Sequence, residues 1–192
     1  MKSVTPDDIM GPSAYAKVRD DLLRHIIELK KRRRVQIGDK VSLVFENRDT
    51  VIFQIQEMLR AEKITDLGRI KEEVAIYNSS IPAPGELSAT LFLEIEEQGH
   101  LRQDLLKFLG IDESVYLKVG PHTIHGCFEE GRSKEDKISA VQYVKFPFRQ
   151  EEIESFIDGK QSIVLQIDHP NYQANVTMAQ ETRESLTEDF SA

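Results

Sequence analysis

The sequence predicts an α+β fold in which N-terminal helices pack on a largely antiparallel sheet of about five or six strands, followed by a short C-terminal helix. Three observations support this fold class. Apolar residues recur every three to four positions through much of the first 80 residues, as on one face of an α-helix. From residue 87 onward, apolar and polar residues mostly alternate, as in half-buried strands. The links between these strands are short, which favours antiparallel neighbours.

The N-terminal part is predicted to begin with a long helix. Its last turn holds the basic run of residues 30–34, which suits the negative end of a helix dipole, and Gly38 helps to end the element. Asp49 or Thr50 is expected to cap the second helix. The elements predicted here are helices at residues 13–34, about 50–62 and 65–77, and a strand at residues 41–45.

The C-terminal part is predicted to be mostly strand. His169, Pro170 and Asn171 are expected to form a turn, and Thr177 is expected to cap the last helix. Pro147 should lie at the end or edge of its strand, because proline cannot donate a backbone hydrogen bond. The strands predicted here are residues 87–96, 115–119, 123–129, 138–148 and 162–168, and the helices are residues 100–109, 150–156 and 178–190.

Length and composition predict one domain over residues 1–192, with a helical part at about 1–80 and a sheet-rich part at about 87–192. The chain has 192 residues, of which 40% are hydrophobic and 30% charged, values typical of a globular protein rather than a disordered one. No segment has the apolar pattern of a signal peptide or a membrane span, so a cytoplasmic location is expected. The one cysteine excludes a disulfide within the chain.

Charge is unevenly distributed along the chain. Residues 1–35 contain nine Lys/Arg and five Asp/Glu, whereas residues 151–192 contain two Lys/Arg and nine Asp/Glu. The two ends could pair within the fold or across a homodimer, but two solvated faces are favoured. The run at residues 30–34 could contact nucleic acid, yet no nucleic-acid-binding motif accompanies it. A solvated helix end is therefore the favoured interpretation, and nucleic-acid binding is not expected.

A possible metal site contains His122, His125 and Cys127, which follow the pattern H-x-x-H-x-C. Alternation along a strand places His125 and Cys127 on one face, and His122 joins them only if the strand bends. Imidazole and thiolate are ligands of transition metals, and His100 or Glu94 could supply a fourth. The alternative is a polar sheet face with an unreactive thiol, which is favoured because the spacing matches no standard zinc module.

A second candidate site lies on the helix predicted after residue 49. Glu57 and Arg60 are three residues apart and therefore neighbours on its surface, and Glu46 and Arg48 are similarly close across the turn before it. A network of carboxylates and guanidinium groups could hold a ligand or could fix the helix on the sheet. The structural role is favoured.

No catalytic signature accompanies these candidates. The sequence contains no glycine-rich dinucleotide-binding or P-loop motif and no G-x-S-x-G nucleophile elbow. Cys127 with a neighbouring histidine could form a nucleophile and base, but residues so close on one strand seldom reach that geometry. The sequence therefore leans against an enzyme.

Several short segments spread over nearly the whole chain form a distinctive combination of motifs. They are residues 45–50 (FENRDT), 56–62 (QEMLRAE), Glu73, 77–78 (YN), 81–82 (IP), 86–91 (ELSATL), Glu94, 139–141 (SAV), Phe146 and 168–172 (DHPNY). Together these segments resemble a bacterial family of uncharacterised function. The resemblance implies a gene neighbourhood that holds a rubrerythrin and an iron–sulfur oxidoreductase. It also singles out polar positions at Glu46, Arg48, Glu57, Arg60 and Glu94.

The resemblance and the lack of a catalytic motif predict a non-enzymatic accessory or interaction partner of a cytoplasmic redox or oxidative-stress system. Rubrerythrin and the iron–sulfur oxidoreductase are the expected partners. The alternative is a protein, either an enzyme or a binding protein, that binds a transition metal at His122, His125 and Cys127 or a small ligand beside Glu57 and Arg60.

Overall fold

A computed structural model describes residues 1–95, 101–129, 133–134 and 137–191. Short 3₁₀-helices lie at Pro6–Asp8, Ile111–Glu113 and Glu188–Phe190. The α-helices are α1 Pro12–Arg33, α2 Arg48–Ala61, α3 Leu67–Asn78, α4 Leu101–Leu106, α5 Gln150–Ile157 and α6 Gln180–Thr187. The strands are β1 Arg34–Ile37, β2 Val41–Glu46, β3 Glu86–Leu93, β4 Val115–Val119, β5 His122–His125, β6 Cys127–Phe128, β7 Ser133–Lys134, β8 Lys137–Ile138, β9 Val141–Pro147, β10 Ile163–His169 and β11 Tyr172–Thr177.

The strands form two antiparallel sheets, which confirms the α+β class. The first sheet has the order β1-β2-β3-β9-β6, the second has the order β11-β10-β4-β5, and β7 pairs with β8 as a separate hairpin. In place of the single expected sheet of about five or six strands, the described residues form two sheets of five and four strands. In the described part of the chain, no helix combines the length and the apolar character that a membrane span requires.

One face of each sheet contributes to a shared hydrophobic core. Strand alternation places one row of apolar side chains inward on each strand, and the rows from the two sheets belong to one cluster of buried residues. Burial of these side chains is the main force that holds the two sheets together. Its most buried members include Ile37, Leu43, Phe45, Leu87, Leu91, Leu117, Val119, Val144, Phe146 and Leu165.

The chain passes from the second sheet to the first at Gly126, between β5 and β6. Gly126 is buried, and a Cβ there would lie 2.8 Å from Val144 Cγ2 and 3.2 Å from Phe146 Cε1. Any larger residue would therefore push the strand away from β9. The glycine lets the backbone approach the first sheet closely enough to add β6 to it.

The segment at residues 168–172 ties distant parts of the fold together. His169 is buried; its Nδ1 accepts from the backbone of Asn171 at 3.2 Å, and its Nε2 lies 2.7 Å from the carbonyl oxygen of Leu109. The hydroxyl of Tyr172 donates to the carbonyl oxygen of Ile37 at 2.6 Å. This segment, which is one of those that carry the family resemblance, therefore connects β10 and β11 to β1 and to the residues that follow α4.

On the other face of the first sheet, α1 packs against β2, α2 packs against α1, and α3 packs against α2. A second hydrophobic cluster lies in this helical layer, separate from the core between the sheets. It joins the N-terminal segment (residues 1–11) to α2 and α3. Its buried members are Val4, Val51, Ile55, Leu59, Ile64, Val74 and Ile81.

Three local predictions are wrong in position or type. The cap of α2 is Asn47, whose side chain accepts from the backbone of Thr50 at 3.0 Å, rather than Asp49 or Thr50. Strand β1 begins at Arg34, where the helix was expected to continue. The turn expected at residues 169–171 is observed at Pro170 and Asn171, but Thr177, the expected cap of the last helix, ends strand β11, and the cap of α6 is Ala179. Strand β11 is not predicted, because its inward residues are only half-buried and its pairing depends on β10.

Candidate functional site

A cavity of about 430 Å³ lies in the helical layer between the N-terminal segment, the start of α1, the end of α2 and the start of α3. We call it the Arg60 groove. Its walls are mainly apolar, with Arg60 and Lys63 among the polar residues that line it. The lining residues are Pro6, Ile9, Met10, Gly11, Pro12, Tyr15, Ala16, Gln56, Leu59, Arg60, Lys63, Ile64, Thr65, Leu67 and Ile70.

The N-terminal wall of the Arg60 groove is held by side-chain amides. The Gln56 side chain accepts from the backbone nitrogen of Met10 at 2.6 Å and donates to its carbonyl oxygen at 3.3 Å. Asn78 makes the same pair of bonds to Val4, each at 2.9 Å. These amides satisfy backbone groups that no strand or helix partner reaches, so the segment is fixed against α2 and α3.

Beside the groove, four side chains form the Glu57 cluster: Tyr15, Arg19, Glu57 and Arg60. Arg19 donates from Nε and Nη2 to the two carboxylate oxygens of Glu57, at 2.8 and 2.7 Å. The hydroxyl of Tyr15 donates to the same carboxylate at 2.8 Å. Arg60 reaches it at 3.2 and 3.3 Å, distances longer than those of a strong charge-assisted bond.

The charges of the Glu57 cluster do not cancel. Hydrogen bonds from Arg19, followed by those from Arg60 and Tyr15, hold the pKa of Glu57 at about 2 against the opposing effect of burial. Glu57 is therefore ionised at neutral pH, and one carboxylate faces two guanidinium groups. Arg19 makes the shorter bonds to Glu57 and also lies 3.7 Å from Asp20. Arg60 is 52% exposed, so the positive charge that Glu57 does not compensate lies on the side of Arg60.

The sequence singled out Glu57 and Arg60, and the structure places them together at a cavity. Sequence analysis did not identify Arg19, Tyr15 or Lys63 as part of this site. The positions of Tyr15 and Arg19, four residues apart on α1, show only that they share a helix face. Their contact with Glu57 depends on how α1 packs against α2.

Glu46 lies away from the Arg60 groove, on the outer face of the first sheet under α2. Its exposure is 2%. Its carboxylate accepts from Thr50 at 2.6 Å, Gln54 at 2.8 Å and Thr90 at 2.7 Å. Neutral donors from α2 and β3 thus satisfy this buried carboxylate, which fixes the start of α2 on the sheet.

Arg48 also has a separate role. Its guanidinium Nη2 lies 2.6 Å from Asp8 Oδ1, which adds a third attachment for the N-terminal segment. Its Nε is buried and finds no hydrogen-bond partner among the described residues. A hydrogen bond from the backbone of Thr5, together with those from Arg48, lowers the pKa of Asp8 to about 2. Asp8 is therefore ionised at neutral pH.

Glu94 lies at the edge of the first sheet, apart from both preceding sites. It accepts from Ser42 at 2.7 Å and from Gln36 at 3.1 Å, and it pairs with Arg34. These hydrogen bonds, led by the one from Ser42, lower the pKa of Glu94. The five polar positions are therefore not one site: Glu57 and Arg60 form a pair, and the others brace separate contacts.

His125 and Cys127 are exposed on β5 and β6. A ring nitrogen of His125 lies 3.2 Å from the carbonyl oxygen of Glu113, and the Cys127 thiol lies 3.9 Å from the carbonyl oxygen of His125. His122 is half-buried and falls on the other phase of the strand. Across the described ranges, no three His, Cys, Asp or Glu side chains are grouped to hold a metal.

Of the two expected fourth ligands, Glu94 is bonded at the edge of the first sheet and His100 lies outside the described residues, so the metal site stays a prediction. Elemental analysis of untagged protein and of a Cys127→Ser variant would test it. A stoichiometric metal that is lost in the variant is the result that a site at Cys127 requires.

Comparisons with known proteins give a family and a structural relative. A protein of unknown function from Burkholderia pseudomallei K96243, known from a crystal structure at 1.90 Å resolution, is 31% identical to this chain and superposes with a TM-score of 0.92. The match covers 98% of this chain and 99% of that one. A comparison with curated proteins finds no match. Residues 3–190 match the model of a family of proteins of unknown function, DUF3501, and the chain belongs to this family.

Proposed function

We propose that this protein is a non-enzymatic binding protein whose Arg60 groove receives a small, largely apolar ligand. The observation that carries the proposal is the cavity itself. Its volume of about 430 Å³ falls within the ~300–1,000 Å³ range of small-molecule sites. Mainly apolar walls with a few polar groups at one side are also typical of such sites.

The arrangement of the Glu57 cluster supports binding rather than catalysis. A general base must exchange protons near the working pH, but the bonds from Arg19 keep the pKa of Glu57 at about 2. Burial, and then the bond to Glu57, raises the pKa of the Tyr15 hydroxyl well above its usual value. Both groups therefore hold their protonation states at neutral pH, as groups that shape a site do.

A titration with 1-octanol, a neutral apolar probe, tests the proposal. In ¹H–¹⁵N spectra, saturable shifts are expected for amides around the groove, such as those of Ile64 and Thr65. Ala16 lines the groove on α1, so Ala16→Phe should fill the cavity and abolish these shifts. Ala14 is an exposed residue of the same helix that does not line the groove, and Ala14→Phe should leave them unchanged. Shifts that survive Ala16→Phe, or no shifts at all, contradict the proposal.

The second part of the proposal is that this ligand-binding protein is an accessory or interaction partner in a cytoplasmic redox or oxidative-stress system. Its support is the sequence resemblance, which implies rubrerythrin and an iron–sulfur oxidoreductase as partners. Anaerobic pull-down with each purified partner tests physical association. Retention of neither partner would contradict this part and would leave the groove proposal standing.

A further inference from the structure

We infer that the ligand of the Arg60 groove is an amphiphilic anion, an apolar chain that ends in one carboxylate. This inference rests on the proposed function and specifies the chemistry of its ligand. Three observations carry it: the sign of the charges on the groove wall, the unused donor capacity of Arg60, and the backbone conformation of Lys63.

All the charged side chains among the described residues that line the groove are positive. They are Arg60 and Lys63, and no Asp or Glu is among the lining residues. The carboxylate bonded to Arg60, that of Glu57, is held by two short bonds from Arg19. An apolar cavity with cations on one side is complementary to a molecule with an apolar body and a negatively charged end.

Arg60 retains donors that a carboxylate can use. Its bonds to Glu57 employ Nε and Nη2, at 3.2 and 3.3 Å, and Nη1 makes no hydrogen bond within the described ranges. A guanidinium group has five N–H donors in a planar fork. The remaining donors match the paired oxygens of a carboxylate, for which arginine is well suited.

Lys63 occupies a position where glycine would be expected. It follows the end of α2 with a φ of 54°, the one described residue other than glycine with positive φ. The backbone nitrogen of Ile64 donates to the carbonyl oxygen of Leu59 at 2.9 Å, and that of Lys63 donates to Arg60 at 3.3 Å. This is the Schellman arrangement, in which glycine is usual at the left-handed position.

A lysine at this position carries a backbone penalty that glycine would avoid. Strain that the surrounding structure maintains is a frequent mark of a functional position. Here the strained residue places a second cation on the wall of the groove, three residues after Arg60. The end of α2 thus presents two cations to whatever fills the groove.

The test compares octanoate with 1-octanol, which have the same chain length and differ in charge. Affinities are measured by calorimetry or spectral titration at low ionic strength. Octanoate should bind more tightly than 1-octanol, and decanoate about tenfold more tightly than octanoate, because two further methylene groups are buried. Added salt should weaken octanoate binding and leave 1-octanol binding unchanged.

Two variants and a matched control locate the anion. Arg60→Gln and Lys63→Gly should each weaken octanoate binding by about three- to fivefold, the size of one partly exposed ion pair, with no effect on 1-octanol. Arg24→Gln is the control, since Arg24 pairs with a carboxylate three residues away on α1, as Arg60 does on α2, but lies outside the groove.

The outcomes separate the inference from the proposed function. Equal affinity for octanoate and 1-octanol, or octanoate binding that neither variant weakens, overturns the inference while the groove remains a binding site. If neither probe binds, the proposed function fails and the inference fails with it.

Discussion

Arg33, the last residue of α1, tests how the N-terminal helix is joined to the acidic C-terminal part of the chain. Its exposure is 1%, and it forms an ion pair with Asp189, whose side chain is 3% exposed. Its guanidinium also donates to the carbonyl oxygens of Phe45 at 2.9 Å, Glu46 at 3.1 Å and Ser185 at 3.1 Å. Replacing Arg33 with methionine keeps the apolar stem but leaves a buried carboxylate without its cation.

Breaking a buried ion pair by removing one partner costs about 3–5 kcal/mol. A protein of this size loses roughly 2–4 °C of melting temperature per kcal/mol. A loss of about 4 kcal/mol therefore corresponds to a decrease of ~8–16 °C for Arg33→Met. The expected loss is large because both charges are almost fully removed from water.

Urea unfolding of Arg33→Met, Asp189→Leu and the double variant measures the coupling. Removing both charges can be close to neutral, so the double variant should be clearly more stable than the sum of the single losses predicts. Arg32→Met is the control; Arg32 is exposed, and its replacement should change stability by no more than ~0.5 kcal/mol. A loss below about 1 kcal/mol for Arg33→Met, or additive single losses, refutes the reasoning.

The same pair predicts a pH dependence. Burial raises the pKa of Asp189 despite the opposing effect of Arg33. Without Arg33 that pKa rises further, and the folded protein can remove the buried charge by binding a proton. The destabilisation caused by Arg33→Met should therefore shrink as the pH falls below neutrality. A loss that stays constant or grows on acidification contradicts this account.

Three further predictions concern the helical layer and the link between β1 and β11. Lys63→Gly should stabilise the protein by ~0.5–1 kcal/mol in urea unfolding, because glycine adopts the left-handed backbone conformation without the steric penalty of a side chain. A loss of stability would count against strain at this position. The folded pKa of Glu57 is about 2 and its usual value is 4.5, so its stabilising effect is present above pH 4.5 and is lost as the pH falls toward 2. Glu57→Gln should therefore lower the melting temperature at pH 7 and have little effect at pH 2, and equal losses at both would contradict the assignment. Gly38 has a φ of 68°, and a Cβ there would overlap the Tyr172 hydroxyl, so Gly38→Ala should cost about 2 kcal/mol or more. In the Tyr172→Phe background the Gly38→Ala penalty should be smaller, and full additivity would rule out the overlap as its cause.

The charge pattern shows where inference from sequence reached its limit. The sequence favours two solvated faces for the basic start and the acidic end of the chain, and Arg32, within the basic run, is exposed. Arg33 is instead buried against Asp189, 156 residues away, so this pair forms within the fold. A run of like charges does not show which member points inward, because that depends on which element packs beside the helix end.

The same limit applies to the candidate site. Glu57 and Arg60 could be paired from their spacing alone, since residues three apart on a helix are neighbours. The cavity beside them could not be predicted, because its walls come from four segments of the chain. Nor could the role of Lys63, because a left-handed backbone at a lysine has no signal in composition or periodicity.

Local patterns in the amino-acid sequence were enough for the fold class, most helices and the central strands, because helices and strands impose periods of 3.6 and 2 on their apolar residues. Tertiary packing decided the division into two sheets, the pairing of edge strand β11, the burial of Arg33 and the joining of Arg19 to Glu57. These depend on contacts between residues far apart in the chain, whose free energy is realised only when the elements come together. The Arg60 groove belongs to this second group, because it is the space those packed elements leave between them.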